Sequence, residues 1–322
     1  MNTLLKIIFV SALFFIVLAA RNLSGEGSLR TISSSPSYAA IVQPTLNTSR
    51  PSPPAVLSNE TALHTNPIGA SVFKKIDTAP VPDVHAEIFG VWDLESGELY
   101  AEKTTSVRWP LASLTKLMTA VVALTHISMD TVVEVSSSSF PQQEEESMFP
   151  LPQGKYHVPE LLGAMLVGSR NEAAEALAQL YGRREFIDAM NTQASVWGMH
   201  RTYFEEPTGL SIVNQSAADE IYKMVQRIFF EFPEVFEMTR STEFALHPES
   251  GEPITIKSTN VFVGRDDFLG GKTGYIDASQ GNLVSIFRYE ERPLVLIVLG
   301  AEDRFGATEA LYRWFTENYS RH

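Results

Sequence analysis

The sequence contains no cysteine and has few basic residues relative to acidic ones. Its 322 residues include 25 Lys and Arg against 38 Asp and Glu, which gives a formal net charge of −13. The absence of cysteine excludes disulfides, thiolate catalysis and zinc sites built on cysteine. The acidic balance argues against nucleic acid as a partner, because phosphate contacts need clustered Lys and Arg.

The first 80 residues lack the composition of a folded domain. Lys6 precedes an apolar run over 7–20, which is shorter than the ~20 residues of a membrane span and suits a signal peptide. We therefore predict a signal peptide or N-terminal membrane anchor over 1–20, and an exported protein, periplasmic or otherwise extracytoplasmic. Residues 21–80 are rich in Ser and Pro, so we predict a flexible linker there and one folded domain over 81–322.

The pattern of apolar residues in that domain predicts an α/β fold. We predict a hairpin over 86–101, helices over 110–121, 159–167, 172–181, 186–197 and 217–230, strands over 268–276, 282–289 and 294–299, and a closing helix over 308–319. Strands at both ends of the domain and helices between them favour a sandwich in which one antiparallel sheet joins the two ends.

The helix that begins near Pro110 carries the first candidate reactive group. Ser113 and Lys116 are three residues apart and therefore share one face of this helix. A serine hydroxyl needs an adjacent base to act as a nucleophile, and an amine with a lowered pKa can serve. The spacing alone is common, and Ser71 and Lys74 repeat it within the predicted linker.

Two further motifs lie downstream. Ser169-Arg170-Asn171 falls at a predicted helix break, where side chains can point into a cleft. Gly271-Lys272-Thr273-Gly274 falls on a predicted strand, where Lys272 and Thr273 offer a cation and a hydroxyl to an anionic group. Ser258-Thr259-Asn260 also matches the serine-x-asparagine pattern of Ser169-Arg170-Asn171, but we expect a surface loop there. Arg304 could help to bind a carboxylate, but we expect a surface salt bridge for it.

The trio of serine-x-x-lysine, serine-x-asparagine and lysine-threonine-glycine is the set known from penicillin-binding proteins and class A β-lactamases. Over about 85–318 the chain resembles the low-molecular-mass penicillin-binding proteins, the serine D-alanyl-D-alanine carboxypeptidase and endopeptidase family. The run from Glu206 to Ser211, Glu-Pro-Thr-Gly-Leu-Ser, is most similar to the endopeptidase branch, and Thr259-Asn260 also belongs to the resemblance.

This resemblance implies a β-lactamase/transpeptidase-like fold over 81–322, with a five-stranded antiparallel sheet flanked by helices and a helical subdomain. It also implies peptidoglycan peptides as substrates, β-lactam antibiotics as covalent inhibitors, and no metal or cofactor. The implied catalytic residues are Ser113 as nucleophile, Lys116 as base and Ser169 as proton relay. The implied substrate-binding residues are Asn171, Lys272, Thr273, Gly274 and Tyr275, with the backbone N–H groups of Ser113 and Tyr275 forming an oxyanion hole.

Two lysines in one cleft disfavour each other's protonated form, so we expect one of them to titrate low. Lys116 is the better candidate because it borders an apolar helix face, and Lys272 would then remain the cation that binds a carboxylate.

Two other functions are compatible with these motifs. A serine β-lactamase would need a carboxylate such as Glu205 or Glu206 to activate a deacylating water, and would turn over a chromogenic cephalosporin rapidly. A non-catalytic wall-binding module would form no covalent penicillin adduct. The sequence leaves open whether a peptidase of this kind would trim a terminal D-alanine or cleave a cross-link.

Overall fold

The computed structural model describes residues 73–136, 139, 150–249 and 252–321. The predicted signal peptide or anchor and most of the predicted linker lie outside these residues. Within the described ranges, no helix combines the length and the hydropathy that crossing a membrane requires.

The described part of the chain contains short and long β-strands. In chain order they are β1 (Lys74–Lys75), β2 (Ile88–Asp93), β3 (Leu99–Lys103), β4 (Arg108–Pro110), β5 (Val132–Val135), β6 (Gly154–His157), β7 (Gln215–Ala217), β8 (Glu243–Leu246), β9 (Ile254–Lys257), β10 (Phe268–Ile276), β11 (Gln280–Tyr289), β12 (Arg292–Ala301) and β13 (Tyr319–Ser320).

The α-helices of the same ranges lie mostly between β4 and β8. They are α1 (Thr115–His126), α2 (Val158–Val167), α3 (Asn171–Tyr181), α4 (Arg183–Val196), α5 (Ala218–Glu231), α6 (Pro233–Thr239) and α7 (Arg304–Asn318). The predicted helices and long strands are all present. The closing helix starts four residues before the predicted position, because the Asp303 carboxylate caps it by accepting a hydrogen bond from the Gly306 N–H at 2.9 Å.

Five strands form one antiparallel sheet in the order β10-β11-β12-β2-β3, which confirms that strands from both ends of the domain share a sheet. Side chains alternate between its two faces. In β12, Val295 and Ile297 belong to a core shared with α1 to α6, whereas Leu294 and Leu296 belong to a second core shared with α7. β10 is an edge strand, so one of its sides is open to a neighbouring element.

The N-terminal part of the described chain packs against the domain before the predicted boundary at residue 81. β1 pairs with β13, and the Phe73 ring is 1% exposed in the core under α7. The Ala79 carbonyl accepts a hydrogen bond from the Trp314 indole N–H at 3.2 Å. Residues between Phe73 and Ala79 therefore contact the predicted domain, and the sequence does not indicate this because a single aromatic residue in a polar segment leaves no periodic signal.

Candidate active site

Ser113 lies in a short 3-10 turn, Ala112–Leu114, that leads directly into α1. Ala112 has a φ of 49°, a left-handed backbone conformation that residues with a side chain disfavour. The chain is tightly enclosed here. A Cβ at Gly209 would lie 1.9 Å from the Ala112 carbonyl oxygen, and one at Gly274 would lie 3.1 Å from the Ser113 nitrogen. The turn that presents Ser113 is thus held between the Gly209 loop and β10.

Two asparagines, both fully buried, fix the chain just before this turn. The backbone carbonyl of Asn214 accepts a hydrogen bond from the Leu111 N–H at 2.8 Å. The Asn282 side-chain amide donates to the carbonyls of Pro110 and Leu111 at 2.8 and 3.1 Å. These bonds satisfy backbone groups that the strained turn leaves outside regular structure, and they hold Ser113 at the edge of β10.

The Lys116 amine points back along α1 to Ser113. Its side chain is 0% exposed, and Nζ lies 2.9 Å from Ser113 Oγ. The same nitrogen donates to Asn171 Oδ1 and to the Thr208 carbonyl, both at 2.5 Å. Helix α1, the first turn of α3 and the loop that carries Thr208 therefore meet at this amine, which lies in hydrogen-bond contact with the candidate nucleophile.

A second lysine and serine pair faces the same place from the sheet. Lys272 Nζ donates to Ser169 Oγ at 2.8 Å and to the Thr273 carbonyl at 2.9 Å. Ser169 has a φ of 59°, which follows from its place in the sharp break between α2 and α3. The structure thus brings together the three motifs that the sequence separates: Ser113 and Lys116, Ser169 and Asn171, and Lys272 and Thr273.

The electrostatics of this cluster are unusual because positive groups are concentrated in a buried site. Burial first, and then the neighbouring charges of Lys116 and Arg304, hold the pKa of the Lys272 amine well below its ordinary value. Lys272 is 1% exposed, and neither of its hydrogen-bond partners among the described residues is a carboxylate. From the sequence we expected one lysine to titrate low and favoured Lys116. The pKa of Lys272 is lowered, and the low pKa of Lys116 stays a prediction.

The remaining predicted residues lie on β10. Thr273 is 5% exposed, and its hydroxyl lies 2.7 Å from the hydroxyl of Thr259. The Tyr275 side chain is 55% exposed, and its hydroxyl donates to the Asp277 carboxylate at 3.2 Å. The role predicted for Tyr275 uses its backbone N–H, and an oxyanion hole formed with Ser113 stays a prediction.

The loop after α4 uses its carboxylate to fold itself. Glu206 accepts hydrogen bonds from the backbone N–H groups of Thr208 and Gly209 at 2.6 and 2.7 Å, and from the Asn214 side chain at 2.8 Å. The Thr208 carbonyl is thereby directed at Lys116. The neighbouring Glu205 bonds to the Ser211 hydroxyl. Both carboxylates that could activate a water in a β-lactamase therefore form hydrogen bonds within the loop.

Three contributors were missed or misjudged from the sequence. Thr208 acts through a backbone carbonyl, which has no sequence signature. Thr259 was expected in a surface loop, but its hydroxyl contacts Thr273. Arg304 was expected to form a salt bridge, but the described residues contain none for it, and its guanidinium donates to the Gly274 carbonyl at 3.2 Å. The contacts of Thr259 and Arg304 with β10 could be recognised only once the surroundings of that strand were known.

The described residues contain no group of three His, Asp or Glu side chains arranged to hold a metal ion. The site contains the hydroxyls of Ser113, Ser169 and Thr273 and the amines of Lys116 and Lys272. They place an amine beside a serine hydroxyl and hydrogen-bond donors beside both, an arrangement that suits nucleophilic catalysis by serine.

Comparison with known proteins gives consistent matches. The family model described as D-alanyl-D-alanine carboxypeptidase matches residues 75–303. A D-alanyl-D-alanine carboxypeptidase of Mycobacterium tuberculosis is 28% identical over 225 residues, covering 69% of this chain and 77% of that protein. A D-alanyl-D-alanine endopeptidase of Escherichia coli is 30% identical over 235 residues, covering 71% of this chain and 75% of that protein.

The fold is shared with solved structures. Penicillin-binding protein D2 from Listeria monocytogenes, in its cefotaxime-bound form, superimposes with a TM-score of 0.65 at 26% identity, covering 73% of this chain and 98% of that one. The predicted five-stranded sheet with its helical subdomain is accordingly the fold of this group of proteins.

Proposed function

The chain belongs to the D-alanyl-D-alanine carboxypeptidase family, and we propose that it cleaves D-alanyl-D-alanine-type peptide bonds of peptidoglycan through an acyl-enzyme on Ser113. The observation that carries this proposal is the contact of 2.9 Å between Lys116 Nζ and Ser113 Oγ, formed inside a site that also holds Ser169 and Lys272. Each of these side chains has a separate task in acyl transfer.

The surroundings of Lys116 suit a neutral amine. A neutral amine has two N–H donors and one lone pair, and the carbonyl oxygens of Asn171 and Thr208 are both pure acceptors. They can take the two N–H groups and leave the lone pair directed at the Ser113 hydroxyl. Lys116 is then placed to accept the Ser113 proton as Oγ attacks the carbonyl carbon of the penultimate D-alanine.

Breakdown of the tetrahedral intermediate needs a proton on the departing amine. Ser169 supplies the hydroxyl of the second motif, and its Oγ accepts a hydrogen bond from Lys272 at 2.8 Å. We assign Ser169 the relay of this proton: its hydroxyl donates a proton to the leaving amino group and regains the proton that Lys116 took from Ser113, after which the ester on Ser113 remains. Water then attacks this ester, the Ser113 hydroxyl is restored, and the shortened peptide leaves with a new carboxylate.

The group C-terminal to the scissile bond carries a carboxylate, and the sheet side of the cleft is suited to it. Thr273 supplies a hydroxyl on the edge strand β10, and Lys272 supplies a buried amine whose proton an anion would stabilise. Arg304 adds a cation beside Gly274, and its Nε is buried without a hydrogen-bond partner among the described residues. A bound carboxylate would offset the repulsion between Lys272 and Arg304.

The β-lactam class fits the same positions, because a penicillin also carries a carboxylate next to a reactive amide. The cefotaxime-bound relative supports this assignment. Since peptidoglycan lies outside the cytoplasm, we also propose that the domain works there after export by the segment at 1–20. The commitment of Glu205 and Glu206 to their loop favours a peptidase over a β-lactamase.

The experiment is labelling of the full chain with a fluorescent penicillin, followed by digestion of purified pentapeptide and cross-linked muropeptides. We expect covalent labelling of the wild-type chain and loss of both labelling and digestion in Ser113→Ala, because that variant has no nucleophile in the turn that leads into α1. Products of digestion distinguish carboxypeptidase from endopeptidase activity.

The matched control is Ser71→Ala, which removes a serine with the same spacing to a lysine. It should label and digest like the wild-type chain. Labelling that survives Ser113→Ala, or loss of labelling in Ser71→Ala, would contradict the proposed nucleophile.

A further inference from the structure

The segment between β9 and β10 bridges the two walls of the cleft. The backbone N–H of Thr259 donates to the Val167 carbonyl at 3.2 Å, at the end of α2 and two residues before Ser169. The side chain of the same residue reaches the other wall, where its Oγ1 lies 2.7 Å from Thr273 Oγ1. One residue thus contacts both the helical side and the sheet side of the site.

Neighbouring bonds fix Thr259 in place. The Ser258 N–H donates to the Thr242 carbonyl at 2.9 Å, which anchors the segment to the β8–β9 hairpin. On the other side, Asn260 is 6% exposed, and its Oδ1 accepts a hydrogen bond from the Phe262 N–H at 3.0 Å. Because the backbone is held on both sides, the Thr259 hydroxyl is kept within reach of Thr273.

We propose that Thr259 is a positioning residue whose hydroxyl donates a hydrogen bond to Thr273 Oγ1, so that the Thr273 proton is directed at the carboxylate of the substrate. This inference rests on the proposed function, since it needs a ligand carboxylate at Thr273. Nothing in the three motifs includes Thr259.

The direction of the bond follows from counting protons and lone pairs. A hydroxyl has one proton to donate and two lone pairs that accept, and a carboxylate only accepts. Thr273 must therefore donate its proton to the ligand and can only accept from Thr259. Among the described residues, the hydroxyls of Thr259 and Thr273 have no other hydrogen-bond partner than each other. A donor behind Thr273 also strengthens the bond it makes to the ligand, because hydrogen bonds in a chain polarise one another.

A positioning role and a purely structural role of Thr259 predict different effects for ligands with and without a carboxylate. If Thr259 acts through Thr273 on a carboxylate, its loss matters only for ligands that carry one. Benzylpenicillin has this carboxylate, and its methyl ester presents the same β-lactam ring without the negative charge. A distorted cleft, by contrast, would slow the reaction with both compounds.

The experiment measures the second-order rate of Ser113 acylation by each compound in Thr259→Val, Thr259→Ser and the wild-type full chain. We expect Thr259→Val to lower the rate with benzylpenicillin about fivefold, the scale of one lost hydrogen bond, and to leave the rate with the methyl ester unchanged. Thr259→Ser keeps the hydroxyl and should restore the wild-type rate. Thr255→Val, an exposed threonine on β9 of the same hairpin, is the matched control and should react like the wild-type chain.

Two results would overturn the proposal. A wild-type rate with benzylpenicillin in Thr259→Val would show that Thr273 needs no partner, and an equal loss with both compounds would show that Thr259 only holds the backbone. Failure of the proposed function is distinguishable from both. In that case the wild-type chain itself would not be acylated at Ser113, and the inference would fail with it.

Discussion

The two faces of the central sheet are packed with different side chains. On the face that meets α5 the core is mainly aliphatic, with Leu, Val, Ile, Met and Ala side chains contributed by the helices. On the face that meets α7 the core is built around aromatic rings, and Phe73 completes it by contacting Tyr100, Tyr289 and Phe315 at ring-centroid distances of 5.9, 5.5 and 5.2 Å.

The charged groups at the two faces also differ. On the aromatic face, the Arg265 guanidinium stacks over Phe287 and pairs with Asp267 and Glu309 at 2.8 and 2.6 Å. These contacts raise the pKa of Arg265 and lower that of Asp267, so each charge is stabilised by its partner. Beside the cleft, Lys272 has only a hydroxyl and a carbonyl as described partners, and its pKa is lowered.

The difference suggests a division of labour within one domain. Perturbed, poorly compensated charges cluster at functional sites because reactive groups need them, and the energy of folding must come from elsewhere. The aromatic face has compensated charges and large buried rings, so it is suited to supply that energy. Substitutions at the cleft should therefore change the reaction more than stability, and substitutions under α7 should do the reverse.

The largest effect is expected for Lys116→Met. This variant keeps the length of the side chain but removes the amine that contacts Ser113 Oγ. Acylation by benzylpenicillin should fall about a thousandfold, the typical contribution of a general base. The free energy of unfolding should change by less than about 2 kcal/mol, because removing a buried amine offsets part of the cost of its lost hydrogen bonds.

Lys223→Met is the control for this prediction. Lys223 is half-buried on α5 and donates to the Gly198 carbonyl at 2.8 Å, away from the motifs. It should acylate at the wild-type rate. If Lys116→Met reacted within tenfold of the wild-type chain, the assignment of the base would be wrong.

The next effect concerns the aromatic face. Phe73→Ala should lower the free energy of unfolding by about 3 kcal/mol, because it leaves a cavity among Tyr100, Tyr289 and Phe315. The acylation rate of the folded protein should be unchanged. Urea unfolding and the labelling rate at low temperature measure the two quantities on the same samples.

Phe230→Ala is the matched control, since Phe230 is 54% exposed on α5. Its loss should change the free energy of unfolding by less than about 0.5 kcal/mol. Equal stability of Phe73→Ala and the wild-type chain would show that the segment before residue 81 contributes nothing to the domain, and would break the comparison between the two faces.

The long elements of the fold could be predicted because their patterns are periodic. β11 and β12 alternate between two buried faces, and α5 carries apolar residues on one side, so both signals survive in the sequence. The seven-residue helix α6 and the four-residue strands β8 and β9 were not predicted. Elements this short contain too few residues for a period to emerge, and pairing rather than propensity decides their structure.

The candidate site divides in the same way. Side chains with a distinctive chemistry, such as Ser113 and Lys272, stand out in a motif, and the structure brings them together. Contributions from the backbone leave no such motif in the sequence, and the Thr208 carbonyl beside Lys116 is one example. Thr259 was expected in a surface loop although Thr259-Asn260 belongs to the family resemblance, and the sequence alone does not place its hydroxyl beside Thr273.

The most gradual effect, spread over several pH units, is a pH dependence of stability that belongs to Lys272. Its pKa in the folded chain is held well below the ordinary lysine value, first by burial and then by Lys116 and Arg304. In the unfolded chain the amine keeps its proton up to about pH 10.4. Between these two pKa values the unfolded state binds more protons, so the free energy of unfolding should rise with pH, by at most about 1.4 kcal/mol per pH unit for one group. Below the folded pKa the full penalty of a buried charge is present, and above pH ~10.4 it vanishes.

The measurement is urea unfolding from neutral pH to about pH 10.5 for the wild-type chain and Lys272→Met, because the difference between the two curves isolates this amine from other titrating groups. The free energy of unfolding of the wild-type chain should rise with pH relative to that of Lys272→Met. Lys257→Met removes an exposed lysine of β9 and should follow the wild-type curve. A difference that stays constant or falls with pH would mean that Lys272 keeps its proton in the folded chain as readily as in the unfolded one, and the contrast between a compensated and an uncompensated face of the sheet would no longer hold.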